Sequence, residues 1–158
     1  MDTEKSTKNV MGSKRQRASA IILQDNKILL IRRIKPGHDY YIFPGGGVDD
    51  GESIEEAFIR EVKEELNLDV RKYRFFFSVE NLMVPSHATI HTGNRDEHYF
   101  LVEAYTGTPQ ISGPEKNRMN EQNQYHVAWL SLKEMEQLKE VYPREGVIKL
   151  LDFLRIQE

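Results

Sequence analysis

Glu61, Glu64 and Glu65 occupy positions i, i+3 and i+4 of a stretch, residues 53–66, that reads as a helix. At about 100° per residue, this spacing gathers three carboxylates within an arc of about 100°, with Glu61 between the other two. Convergent carboxylates suit a hard divalent cation. Mg2+ takes oxygen ligands, keeps several waters and is commonly shared between carboxylates and substrate phosphates. The competing reading is a solvated acidic face, the ordinary meaning of a charge cluster. Such a face should be centred opposite the apolar stripe. That stripe is Phe58, Ile59, Val62 and Leu66, and its centre lies about 70° from Glu65. Like charges this close also repel, and Arg60 and Lys63 are expected to project to another side. Upstream, Pro44-Gly45-Gly46-Gly47 permits positive φ and close backbone approach, so that a carbonyl or amide can reach a metal or a phosphate. An ordinary turn has the same composition. Spacing alone suggests a metal site without establishing one.

The elements that must position these groups follow from pattern. Residues 17–24 and 27–33 are apolar, β-branched runs separated by Asp25-Asn26, a hairpin signal. Residues 35–41, with Pro36 and Gly37, read as a loop. Ser53 suits a helix N-cap, Glu55 and Glu56 favour the positive helix end, and Asn67 suits a terminator. Residues 69–80 read as a strand, 81–96 as a loop, 97–106 as a strand, 107–124 as a polar loop and 125–130 as a strand. Ser131 caps a helix over about 132–139, by its residue type. Pro143 opens a last helix carrying Val147, Ile148, Leu150, Leu151 and Leu154 at helical spacing. The order is not a strict strand–helix alternation. It predicts an α/β domain with a central mixed β-sheet and helices on both faces. Residues 1–15 read as a flexible tail and 16–158 as one domain.

With 158 residues the chain is long enough for one buried core, and 30% charged against 39% apolar residues places it among globular domains. A net charge of −3 gives no global case for binding a nucleic-acid polymer. The absence of cysteine excludes disulfides, thiolate zinc sites and a cysteine nucleophile, and fits a reducing, cytoplasmic setting. No apolar run approaches the length of about 18 residues that spans a membrane, and the polar N-terminus lacks a secretory h-region.

Gly46, Glu52 and the run Arg60-Glu61-Val62-Lys63-Glu64-Glu65-Leu66-Asn67-Leu68 resemble the Nudix box, G-x5-E-x7-R-E-U-x-E-E-x-G-U, with U a bulky aliphatic residue. Eight of its nine fixed positions are met. Asn67 replaces the usual glycine, and asparagine is the next-best residue for a left-handed helix end. The two opening strands, Ile42-Phe43-Pro44 and the strand with Trp129 extend the resemblance over residues 17–155. It implies an α/β/α sandwich that hydrolyses a nucleoside diphosphate linked to another group, with Mg2+ (in some members Mn2+) as cofactor. By the same resemblance Glu61, Glu64 and Glu65 match the metal-binding carboxylates and the Gly46 region supplies a carbonyl ligand. Glu52 and Arg60 brace loop against helix, and Glu61 is one candidate base.

The implied mechanism is attack of water on phosphorus, the metal making water more acidic and neutralising phosphate charge. A base from outside the box is common in the family, and Glu121 and Glu115 lie in the 107–124 loop; Glu121 ranks first because it is nearer the Trp129 strand. Arg32 and Arg33 end a strand near the expected site and can hold a phosphate, although strand-end arginines are more often solvated. Tyr41, with His38 and Tyr40, can line a substrate mouth or pack. His87, His91 and His98 lack metal-ligand spacing, and Trp129 reads as core. Two further readings compete: a nucleotide- or ADP-ribose-binding regulatory module, against which the intact carboxylates count, and an isoprenyl diphosphate isomerase, against which the missing cysteine counts. The group attached to the nucleoside diphosphate is not encoded in the box. Oligomeric state is also open, a homodimer being common among similar proteins.

Overall fold

In a computed structural model of the chain, residues 15–84 and 93–156 are described, without the side chains of 81–84, 93 and 156. His87, His91 and the centre of the expected 81–96 loop lie outside the described residues. So does the expected tail, apart from Arg15, which opens the first strand. The elements are β1 (Arg15–Gln24), β2 (Lys27–Lys35), β3 (His38–Ile42), β4 (Gly45–Gly47), α1 (Ile54–Leu66), β5 (Asp69–Val84), β6 (Gly93–Thr106), α2 (Pro114–Arg118), β7 (Gln124–Ser131), α3 (Leu132–Gln137), β8 (Val141–Tyr142) and α4 (Arg144–Ile156).

The strands run in the order β5-β6-β1-β2-β3-β8, with β4 on β1 and β7 on β2. β1 pairs with β6 in parallel and with β2 and β4 antiparallel, so the sheet is mixed. Asp25 and Asn26 both have positive φ, the conformation that a two-residue hairpin loop of type I′ demands. Because β1 and β2 are covered on both faces, they carry unbroken apolar runs instead of alternation. Ala18, Ala20, Ile22, Leu29 and Ile31 face one core with Phe58, Val62 and Leu66 of α1. Ile21, Ile28, Leu30 and Tyr99 face the other with Val147, Leu150 and Leu151 of α4 and Met135 of α3. Helices on two sides of one sheet make the α/β/α sandwich.

Several expectations are corrected. Residues 38–42 form β3, paired with β2 from Ile31↔Ile42 to Lys35↔His38, where a loop was expected; Gly37 at φ 75 closes the turn. Gly45–Gly47 form strand β4, not a turn. The 107–124 loop contains α2. β5 extends to Val84, and β6 begins at Gly93, so the pair reaches further than the apolar pattern indicated. Trp129 is partly buried against the α1 core, and Ile148 is exposed on α4, outside the apolar face assigned to it. Among the described residues no helix is long and apolar enough to cross a membrane.

Candidate active site

The carboxylates keep their positions because both ends of α1 are fixed. Ser53 accepts from the Glu56 amide at 3.0 Å and Glu56 accepts from the Ser53 amide at 3.0 Å, a reciprocal capping box. At the other end Asn67 sits at φ 57, ψ 37 and its amide donates to the Lys63 carbonyl. The left-handed terminator survives the replacement of the usual glycine. Residues 110–112 complete the end, the Gln110 and Ser112 amides reaching the Leu66 and Glu65 carbonyls at 3.2 and 2.9 Å.

The buried face of α1 comprises Ala57, Phe58, Val62, Glu65 and Leu66, while Ile59 is exposed. This shifts the face from the stripe read in the sequence. At about 100° per residue Glu65 falls near its centre. Glu65 is 7% exposed, and its Oε1 accepts from the Gly45 amide at 2.7 Å. Burial drives its carboxyl pKa up to about 8, against the pull of Arg17 and of the Gly45 amide. Glu61 is raised in the same direction, again by burial, with Arg60 opposing.

Two glycines let β4 lie against the helix. A Cβ on Gly46 would fall inside the Glu61 carboxylate, and one on Gly45, at φ 152, would strike the Ala18 carbonyl. Arg60, expected to point away from the carboxylates, instead organises them. Its Nε and Nη2 hold Glu52 at 2.7 and 2.9 Å, Nη2 donates to the Gly47 carbonyl at 3.0 Å, and Nη1 reaches Glu61 at 2.9 Å and Glu64 at 3.3 Å. The Asp49 amide also donates to Glu52, at 3.0 Å. Arg60 first, then Asp49, hold the Glu52 carboxyl down to about 2. Lys63 does point away, to Asp69 at 3.3 Å.

Among the described residues no three acidic or imidazole side chains already converge at coordinating distance. Arg60 Nη1 lies between Glu61 and Glu64, spacing them. The donor set nevertheless fits a hard cation. It consists of oxygens only, it includes a buried carboxyl whose ionisation burial opposes, and that carboxyl abuts a glycine backbone no side chain obstructs.

The other candidates are distributed unevenly. Glu115 stands beside the carboxylates: its charge acts on Glu65, and its Oε2 is buried without a hydrogen-bond partner. Glu121 is exposed in the turn before β7. Arg32 pairs with Asp39 at 2.5 Å and lies 5.7 Å from the Tyr41 ring, and Tyr41 packs on the α4 core. Arg33 stacks 3.8 Å from the Tyr125 ring and donates to Asn123 at 2.7 Å. Tyr40 meets Tyr142 edge-on, and also His38. His98 lies between Ser78 and Gln16. A cluster absent from the sequence reading is Glu97, 1% exposed, with Arg17, Ser19 and Arg95 around it. The one signal for it is an acid at the head of an apolar strand, where Glu97 takes the same face as Tyr99.

Glu65 makes metal-free stability depend on pH. Its carboxyl holds a proton to about 8 when folded but loses it near 4.5 when unfolded, so the folded chain binds more protons in between. Its contribution therefore falls as pH rises through that window, by at most about 1.4 kcal/mol per pH unit. His98, held low by burial, acts in the opposite direction below its ordinary value of 6.5. The Glu65→Gln variant isolates the carboxyl. Urea denaturation in EDTA should show the wild-type stability, relative to this variant, decreasing from about pH 5 to about pH 8; a constant difference would contradict the assignment.

This geometry has parallels in known proteins. A family model described as NUDIX domain matches residues 14–151. The chain is 53% identical over 49 residues to an ADP-ribose pyrophosphatase of Methanocaldococcus jannaschii, covering 30% of this chain and 29% of that one. It is 31% identical over 88 residues to an 8-oxo-dGTP diphosphatase of Escherichia coli, covering 54% of this chain and 63% of that one. Among solved structures it is similar to a MutT NUDIX hydrolase from Burkholderia pseudomallei, with TM-score 0.60, 26% identity, 77% of this chain and 86% of that one. The match over residues 14–151 takes in the glycine strand, the brace of Glu52 and Arg60 and the carboxylate helix together, and the chain belongs to the Nudix family.

Proposed function

We propose that this protein is a metal-dependent pyrophosphohydrolase that cleaves the diphosphate linkage of a nucleoside diphosphate derivative by attack of water on phosphorus. The observation that carries the reading is Glu65, a carboxyl buried at the centre of the α1 face and hydrogen-bonded to Gly45, with Glu61 one turn away and Glu64 next to it in the helix. Glu61, Glu64, Glu65 and the Gly46 carbonyl would hold Mg2+, with Mn2+ as a substitute. When bound there, the cation supplies positive charge beside the phosphate oxygens and makes water more acidic. Arg60 ties Glu52 and the Gly47 carbonyl to helix α1 and so holds strand β4 against the carboxylates.

For the base, the geometry supports Glu115 and Glu61 above Glu121. Glu115 is close enough to act on Glu65 and keeps an unpartnered carboxylate oxygen, whereas Glu121 is exposed. Among the β2–β3 candidates for substrate contact, Arg33 is preorganised over Tyr125 on the α1 side of the sheet, whereas Arg32 and Tyr41 lie on the α4 side. Substrates of the kinds named for the relatives, ADP-ribose and 8-oxo-dGTP, belong in the first assay, together with other nucleoside triphosphates, nucleotide sugars and dinucleoside polyphosphates. Phosphate or nucleotide release is expected with Mg2+ from at least one of these and from none in EDTA. Lack of turnover across the whole panel would overturn the hydrolase reading.

A further inference from the structure

Strands β1 and β6 run parallel with Arg17 opposite Glu97 and Ser19 opposite Tyr99. Glu97 is 1% exposed. Ser19 Oγ donates to its Oε1 at 2.8 Å, Arg17 Nε lies 3.5 Å from the same oxygen, and Arg95 Nη2 lies 3.1 Å from Oε2. Two guanidiniums thus share one buried carboxylate, although one would neutralise it. Both arginine side chains remain 23% exposed, and both keep a buried Nε–H without a hydrogen-bond acceptor. The cluster adjoins the carboxylate site through one residue. Arg17 Nη2 donates to the Gly45 carbonyl at 3.2 Å, and the Gly45 amide donates to Glu65 at 2.7 Å. The charge of Arg17 acts on both Glu61 and Glu65.

We propose that Arg17 and Arg95 form a clamp for the non-bridging oxygens of the substrate diphosphate, and that Glu97 is the positioning residue that aims both. The clamp rests on the hydrolase reading for its substrate class and extends it to residues outside the box. A diphosphate linkage carries several negative charges, and carboxylates with their cation face it from one side only. A second cationic surface, across Gly45, supplies the excess charge the ligand needs. Guanidinium forks match phosphate oxygens with paired N–H donors, and a buried carboxylate holding each fork reduces the freedom lost on binding.

The test is calorimetric binding of methylenediphosphonate, which is not hydrolysed, in the presence of Mg2+. Arg17→Ala and Arg95→Ala should each weaken binding by about tenfold or more, and Glu97→Gln by severalfold, the scale of losing charge-assisted contacts. Arg17→Lys and Arg95→Lys retain the charge that neutralises Glu97 but lose the fork. They should keep the wild-type thermal midpoint and still weaken binding severalfold, so they carry the test if the alanine variants fail to fold. In steady state the lysine variants should raise KM more than they lower kcat. Unchanged affinity in both lysine variants, or no binding of the diphosphonate by the wild type, would overturn the clamp. Binding that the variants lose, in a protein that turns over nothing in the substrate panel, would uphold the clamp and defeat the hydrolase reading alone.

Discussion

Glu65→Gln and Glu64→Gln are each expected to lower Mg2+-dependent turnover by about a hundredfold or more, on the scale of removing one group that organises charge in the transition state. The two variants should differ in stability. Glu64 is a half-exposed side chain whose only described ion pair is the 3.3 Å contact to Arg60, so its loss leaves the fold unaffected. Glu65 is buried, and ionising it in the metal-free protein opposes folding. An amide keeps the hydrogen bond from Gly45 and carries no charge to desolvate. Glu65→Gln should therefore be more stable than wild type in EDTA at about pH 8 while being nearly inactive. Turnover on the best substrate and urea denaturation of the same preparations check both halves. Wild-type activity in either variant would refute the metal-site assignment, and a destabilised Glu65→Gln would refute the account of its burial.

Gly46→Ala should be nearly as damaging to activity, for a reason of space. The added methyl would occupy the position of the Glu61 carboxylate, which must turn away or push β4 from α1. Overpacking of this kind costs about 1–3 kcal/mol, and a displacement of about 1 Å in a catalytic group can cost about a hundredfold in rate. The expected result is a folded protein, a few degrees less stable in thermal melts, with activity reduced by about that factor. Gly45→Ala provides the contrast. There the methyl meets the rigid Ala18 carbonyl at a backbone angle, φ 152, that disfavours a side chain. Its main effect should be on folding yield. Equal loss of stability in the two variants would argue that Gly46 serves packing alone.

The sequence by itself carried the local part of this protein. The spacing of Glu61, Glu64 and Glu65, the cap at Ser53, the left-handed end at Asn67 and the Asp25-Asn26 hairpin each depend on neighbours within a few residues, so residue type and period suffice to read them. The long, specific motif from Gly46 to Leu68 added the family. Tertiary structure decided the features that depend on residues distant in the chain. Ile59 and Glu65 exchanged places between core and surface because β4 and β1, not the helix's own apolar period, set which side of α1 is covered. Arg60 turned toward the carboxylates because Glu52 and the Gly47 carbonyl fix its fork. Glu115 came to the site through the docking of residues 110–112 on the end of α1. The Glu97 cluster arises from the parallel pairing of β1 with β6, which places Arg17 beside an acid 80 positions along the chain. Periodicity encodes which faces are apolar, but a charged group acquires its role only when folding sets the distance to its partner and the water excluded between them.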